Sequence, residues 1–264
     1  MTEQHTSSVD INLVRQWAME AGEIALARFQ HVQPWLKSGD EWVTVADGEL
    51  ERLLVERIRA AYPSHRILGE EMGAQAGDAD QLWAIDPIDG TRAFVQGLPV
   101  WGISIGLLAR RRPAQAVFYM PFVREMYHAA ETGPAYWNDH HLPALQPRAW
   151  TSNDLLCVPA DAHRRFEIAF SGVTRAMGST AANMIYVARG SAVGALIGRV
   201  HVWDIAAALA ILERVGGALY YLSGRPVEVE ELLDGRAAPE PMLAAHPDLA
   251  PKLLREIRVR SAPL

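Results

Sequence analysis

The 264 residues, half of them hydrophobic, suffice for one large domain or two closely packed halves around a sizeable core. A formal net charge of -6 argues against a general binder of nucleic acid or of anionic membrane. The polar start at residues 1–8, the lack of any apolar stretch of membrane-spanning length and a single cysteine, Cys157, set the expectation of a cytoplasmic protein without disulfides.

In chain order, Val14, Trp17, Ala18, Ala21, Ile24 and Ala25 recur at helical spacing. They predict an amphipathic helix over residues 10–29 with Asp10 as N-cap. Residues 37–47 read as a loop and short strand leading to a second helix, capped by Asp47, with Leu50, Leu53, Leu54 and Ile58 on its apolar face. Taken singly, Asp47 is a helix cap and Lys37 a solvated lysine. Residues 66–71 read as a short strand ending in the paired carboxylates Glu70 and Glu71, and residues 73–80 as a small, polar, mobile loop.

The stretch Trp83-Ala84-Ile85-Asp86-Pro87-Ile88-Asp89-Gly90-Thr91 is the chemical centre of the chain. Residues 82–85 predict a short buried strand, so Asp86 stands at a strand end, where open α/β sheets hold ligands. Pro87 stiffens the turn and Gly90 lets it change direction sharply. Such a turn can aim Asp86, Asp89 and the Ile88 carbonyl at one hard cation. Amides of Gly90 and Thr91 that open a helix would face an anion. By itself the stretch is equally a plain turn, because Asp, Pro and Gly are ordinary turn residues.

Residues 100–109 predict a strand that contains Gly102-Ile103-Ser104-Ile105-Gly106, a formal match to the nucleophile elbow of serine hydrolases. An elbow needs a helix directly after the serine. Here the apolar run continues to Arg110-Arg111-Arg112-Pro113, so Ser104 reads as a small core residue and the arginines as a solvated hairpin end. Strands follow at 114–120 and 125–130. Residues 142–151, with Pro143 and Pro147 and no period, mark the expected boundary between an N-terminal half, 1–145, and a C-terminal half, 146–264. The second half predicts a strand at 155–158 with a buried Cys157, a helix at 180–188 ended by Gly190, and a strand at 192–197. A helix at 205–215 follows with Asp204 at or near its start, then strands at 218–222 and 242–245 and a closing helix at 248–257.

Gly69-Glu70-Glu71, Asp86-Pro87-Ile88-Asp89-Gly90-Thr91 and Trp203-Asp204, in this order, resemble the motifs of the inositol monophosphatase family of metal-dependent phosphatases. The likeness runs roughly over residues 37–217. It implies the family's α/β (α+β) fold, a layered αβαβα sandwich, and a homodimer. It also implies a Mg²⁺-dependent phosphomonoesterase acting on a small phosphorylated, inositol monophosphate-like metabolite. By this likeness Glu70, Asp86, Asp89, Asp204 and the Ile88 carbonyl bind two or three Mg²⁺. Thr91 with Glu70 orients the attacking water, and Asp47 and Thr44 support that network. Lys37 matches a lysine near the metals, although the loop after it is one residue shorter than in familiar members. The chemistry is consistent: a metal lowers the pKa of bound water, and a second neutralises the phosphate.

On the substrate side the candidates are Gly90, Thr91, Asp204 and Ile197, with Glu71, Arg92 and Arg199 around them. Ile197 stands seven residues before Asp204, where inositol-selective members place a carboxylate that contacts the ring. An apolar side chain there cannot accept a hydroxyl hydrogen bond, so shallow selectivity is expected. Residues 90–94 and 98–102 look more like the histidinol-phosphatase branch, and residues 178–203 more like the inositol branch. The alternatives are therefore a histidinol-phosphate phosphatase and a non-catalytic binder of phosphate ligands on the same scaffold.

Overall fold

The first amphipathic pattern folds as α1 (Ile11–Arg28), where the Asp10 side chain accepts from Asn12 N at 2.9 Å as N-cap. The computed structural model describes residues 9–37 and 41–260; the polar start at 1–8 and the loop at 38–40 after Lys37 lie outside the described residues. A small antiparallel ribbon, β1 (Trp35–Leu36) and β2 (Trp42–Val43), leads to α2 (Val45–Ala61). The cap of α2 is Thr44, not Asp47. Thr44 has extended backbone angles, and Asp47, in the first turn, reaches back to accept from Thr44 N at 2.8 Å and Thr44 Oγ1 at 2.7 Å. A threonine three residues before an acid is a capping box, a pattern in which the acid serves the cap.

The first sheet then forms from β3 (His65–Gly69), β4 (Gly73–Gln75), β5 (Asp78–Asp89), β6 (Gly102–Ala109), β7 (Arg112–Met120), β8 (Glu125–Ala129), β9 (Ala135–Trp137) and β10 (His140–His141), with the short helix α3 (Thr91–Val95) after β5. Its eight strands lie in the order β10-β9-β8-β7-β6-β5-β3-β4; β3 and β5 are parallel and all other pairs antiparallel. The stretch 73–80 is not a loop throughout but strand at both ends. Gly73–Gln75 pairs with β3 as the edge strand, and β5 already begins at Asp78. Polar, glycine-containing edge strands carry a loop's composition. β5 is also longer than the expected four residues and runs through Pro87. Three steps along β5, from Asp86 to Asp89, face two along β6, from Ser104 to Gly102, so the strand bulges where proline offers no amide.

The second half supplies β11 (Leu155–Cys157), α4 (Ala162–Arg165), β12 (Phe166–Ile168), β13 (Val173–Arg175), α5 (Thr180–Ala188), β14 (Gly194–Ile197), α6 (Val202–Arg214), β15 (Ala218–Tyr221), β16 (Met242–Ala245), α7 (Ala250–Arg255) and β17 (Ile257–Val259). The second sheet has the order β13-β11-β14-β16-β15, and β12 pairs with β17 outside it. No strand or helix lies between β10 and β11 among the described residues. Cys157 is fully buried.

Packing stacks these elements in the order α1 and α2, first sheet, α5 and α6, second sheet, α7. Trp17, Leu50, Leu54, Trp83 and Ile105 meet in the outer core. Leu82, Phe118, Ile185, Leu209 and Ile197 share the middle one. Leu156, Leu196 and Leu253 form the third. This is a layered αβαβα sandwich whose central helices touch both sheets. No described helix is long and apolar enough to cross a membrane.

The glycines flanking Ser104 serve packing. A Cβ on Gly106 would lie 2.9 Å from Ala206 Cβ and 2.9 Å from Ala207 N, so α6 rests directly on β6. Ser104 is buried, and its hydroxyl donates to the Trp203 carbonyl at 3.3 Å. Gly106→Ala should push α6 off the sheet and cost about 1–3 kcal/mol, the usual range for overpacking. Urea denaturation would measure it, and an unchanged midpoint would contradict the close contact.

Candidate active site

The bulge at the end of β5 sets the two motif aspartates. Asp86 and Asp89 are 2% and 4% exposed. Asp86 Oδ1 accepts from Ile88 N at 2.9 Å, which closes the turn around Pro87. Gly90 follows with φ of 95°. A Cβ there would meet the Gly178 carbonyl oxygen at 2.9 Å, so both the left-handed backbone and the close approach call for glycine.

Asp89 also sits at the start of α5. Its carboxylate accepts from the Ser179 hydroxyl, from Thr180 N at 3.2 Å and from Ala181 N at 2.9 Å. Ser179, the N-cap, accepts in turn from Ala182 N at 2.9 Å. An acid at a helix start meets unpaired amides and the positive end of the helix dipole. Asp204 comes from the other side. The helix α6 begins at Val202, earlier than expected, so Asp204 lies inside its first turn and accepts from His201 N at 2.6 Å. The His201 ring is tied to the Gly235 carbonyl at 2.8 Å and stacks on Trp203 with centroids 4.6 Å apart. Asp86, Asp89 and Asp204 each offer an oxygen within 4.8 Å of the others.

Two supporting groups adjoin the cluster. Lys37 Nζ lies 3.3 Å from Glu70 Oε1 and also pairs with Glu71. The Thr91 hydroxyl lies 3.0 Å from Asp47 Oδ1 and 3.1 Å from the Ile88 carbonyl oxygen, while Thr44 holds Asp47 Oδ2. The sequence-derived set Thr44, Asp47, Glu70, Asp86, Ile88, Asp89, Gly90, Thr91 and Asp204 is thus joined in one neighbourhood.

The electrostatics are those of crowded, poorly hydrated acids. Burial pushes the Glu70 carboxyl up to about 7, with Glu71 and Asp47 raising it further and Lys37 opposing. Burial lifts Asp89 to about 6 against its hydrogen bonds to Ser179 and the α5 amides. Burial, reinforced by Glu70 and the other aspartates, holds Asp86 and Asp204 well above the usual carboxylate range. Neutral amides and hydroxyls do not cancel this charge. Buried hard oxygens from three acids fit a divalent metal ion.

The cluster opens into a cleft of about 500 Å³. Glu70, Gly90, Thr91, Arg92 and Arg199 line it, together with Thr180, Asp161 and Arg164, which the sequence reading did not single out. Asp161 and Arg164 sit at and on the one-turn helix α4, too short to leave a periodic signal. Thr180 opens α5, and Ser179 is its N-cap. Ile197 is not part of the wall. It is 2% exposed, and along β14 the alternation turns Leu196 towards α7 and Ile197 into the core with α5 and α6. Arg199 and Val200, in the loop after the strand, border the cleft instead.

Fold and site together define a layered α/β protein with a buried acidic site, able to hold metal, at the floor of a polar cleft. The chain belongs to the inositol monophosphatase family, whose model matches residues 7–260 and whose members hydrolyse phosphate monoesters. Nus factor SuhB of Pasteurella multocida is 33% identical over 228 residues, 81% of this chain and 85% of that protein. A histidinol-phosphatase of Chlorobaculum parvum is 30% identical over 236 residues, 86% and 89% of the two chains. The crystal structure of the extragenic suppressor protein suhB from Bartonella henselae superposes with a TM-score of 0.80 at 24% identity, covering 93% of this chain and 97% of that one.

The raised carboxyls tie the stability of the metal-free protein to pH. Unfolded carboxylates titrate near 4. Between there and the folded values of about 6 for Asp89 and about 7 for Glu70, the folded state binds more protons than the unfolded state. Stability in EDTA should therefore fall as pH rises from 4 to 7. A divalent cation, which replaces those protons, should stabilise the protein more at pH 7.5 than at pH 5. Thermal melts with EDTA or Mg²⁺ check this. An equal Mg²⁺ increment at both pH values would contradict it.

Proposed function

We propose that this chain is a Mg²⁺-dependent phosphomonoesterase that releases phosphate from a small polyol- or sugar-like phosphate. The observation that carries the reading is the convergence of Asp86, Asp89 and Asp204 within 4.8 Å of one another in a cleft shared with Glu70 and Thr91. Glu70, Asp86, Asp89, Asp204 and the Ile88 carbonyl would hold two or three Mg²⁺. Bound there, Mg²⁺ lowers the pKa of a water and neutralises the phosphate and leaving oxygen.

The chain's own groups do the rest. With its proton directed to Asp47 or to the Ile88 carbonyl, the Thr91 hydroxyl keeps lone pairs to accept from a water and orient it. Glu70, at the edge of the cleft, takes the water's proton as general base. Lys37 holds Glu70 in place and is itself anchored by Glu71, so these two act on the site through Glu70. Gly90 and Thr91 amides hold phosphate oxygens, and Thr180 faces the leaving group. No covalent phosphoenzyme is needed.

Cations border the leaving-group side. Arg92, Arg164 and Arg199 line the cleft and outnumber the acids outside the metal cluster, Glu41 and Asp161, the latter paired with Arg165 at 3.3 Å. Guanidinium groups suit hydroxyls and anions and repel the amine of histidinol phosphate. This favours a polyol phosphate over histidinol phosphate. Position 197 lies outside the wall and offers the ring no hydroxyl contact, so preference among polyol phosphates stays shallow. A cytoplasmic homodimer belongs to the same reading, the dimer on family likeness alone.

Asp204→Asn should keep the fold, since an amide oxygen can still accept from His201 N, and should lower kcat at least about a hundredfold, the scale of losing a key electrostatic group. Wild-type turnover in that variant would remove Asp204 from the chemistry. For substrate, kcat/KM on inositol 1-phosphate and glycerol 2-phosphate should both exceed that on histidinol phosphate. A histidinol phosphate preference would reject the cationic wall as the selective feature. Ile197→Glu should unfold or destabilise the protein rather than change selectivity, because it buries an unpaired charge. A folded variant with a sharpened inositol preference would return residue 197 to the cleft.

A further inference from the structure

Glu51 is fully buried, yet the chemistry above gives it no part. It lies one helical turn after Asp47 on α2, on the same face. Its Oε2 accepts from Glu71 N at 2.7 Å and its Oε1 from Met72 N at 2.8 Å. One carboxylate thus takes two consecutive amides of the turn between β3 and β4, the turn that carries Glu70 and Glu71. The preceding residue makes the contact possible. A Cβ on Gly69 would stand 2.0 Å from Glu51 Oε1, so any other residue at 69 would expel the carboxylate.

We propose that Glu51 is a positioning residue: it clamps the turn at 70–72 so that Glu70 meets the cation cluster, and Gly69 is glycine to make room for that clamp. The inference rests on the metal-dependent phosphatase reading. A buried carboxylate is costly, and an apolar side chain would tie α2 to β3 with less desolvation. What only the acid can do is accept both amides at once, with charge-assisted bonds that fix the turn's direction. Asp47 and Glu51 then make one device. From adjacent turns of α2, the first holds Thr91 and the second holds the segment bearing Glu70, so both water-handling groups share one rigid support.

Glu51→Gln tests this, because the amide keeps the volume but turns a donor towards one of the two backbone N–H groups. The readouts are melting temperature, Mn²⁺ affinity by calorimetry, and kcat and KM on glycerol 2-phosphate at saturating Mg²⁺. The expected variant is folded, binds Mn²⁺ about 10–100-fold more weakly, as when a residue supporting a metal ligand is lost, and loses kcat more than KM. Gly69→Ala should reproduce it, and in a Glu51→Ala background Gly69→Ala should add nothing, since the colliding group is gone. A folded Glu51→Gln with wild-type Mn²⁺ affinity overturns the proposal. A Glu51→Gln that loses its fold instead also overturns it, in favour of a purely structural tie. If the wild type itself neither binds Mn²⁺ nor releases phosphate, the phosphatase reading has failed, and the clamp falls with it.

Discussion

Three carboxylates are held within 4.8 Å of one another, Asp86 and Asp89 almost out of water and Asp204 half-buried, and most of the local structure answers that constraint. Each is pinned by neutral donors from a different element: Asp86 by the turn amide of Ile88, Asp89 by the start of α5, Asp204 by the backbone before α6. These bonds fix direction without removing charge. The result is a preorganised set of oxygens whose mutual repulsion is relieved by protons or by a multivalent cation. The layered fold is what lets such a set exist. The first sheet delivers Asp86 and Asp89, and the central helices, packed tightly on β6 through Gly106 and Ala206, bring Asp204 and the α5 amides to them.

A second feature is that single groups serve several purposes. Asp89 caps a helix from outside and belongs to the cation cluster. Asp47 completes the capping box of α2 and takes the Thr91 hydroxyl. The helix-cap and metal-site readings of these acids do not exclude each other. A helix start and a cation site both favour a fixed carboxylate, and one residue can serve both.

Much of this was legible in the sequence where the signal is local. The Asp86–Thr91 motif and Trp203-Asp204 carry their chemistry in a few adjacent residues, and α1, α5 and β16 follow from periodicity with bounds close to those observed. What was not legible depends on phase or on distant partners. Ile197 was misplaced because strand alternation relative to two facing cores is invisible in one chain. The edge strand β4 has the composition of a loop. Arg164, Ser179 and Glu51 matter through what they meet across the fold, and α4 is a single turn. Gly69 is the instructive case: its place in the motif was plain, but its neighbour is the buried Glu51 carboxylate of α2, distant in the sequence.

The central claim is that the three aspartates form a cation site. Crystals of the full chain grown with Mn²⁺ and measured near the manganese absorption edge address it without reference to turnover. The account expects anomalous density among the Asp86, Asp89 and Asp204 carboxylates, with Glu70 beside it. A Mn²⁺-saturated crystal with no anomalous peak between those carboxylates would contradict it.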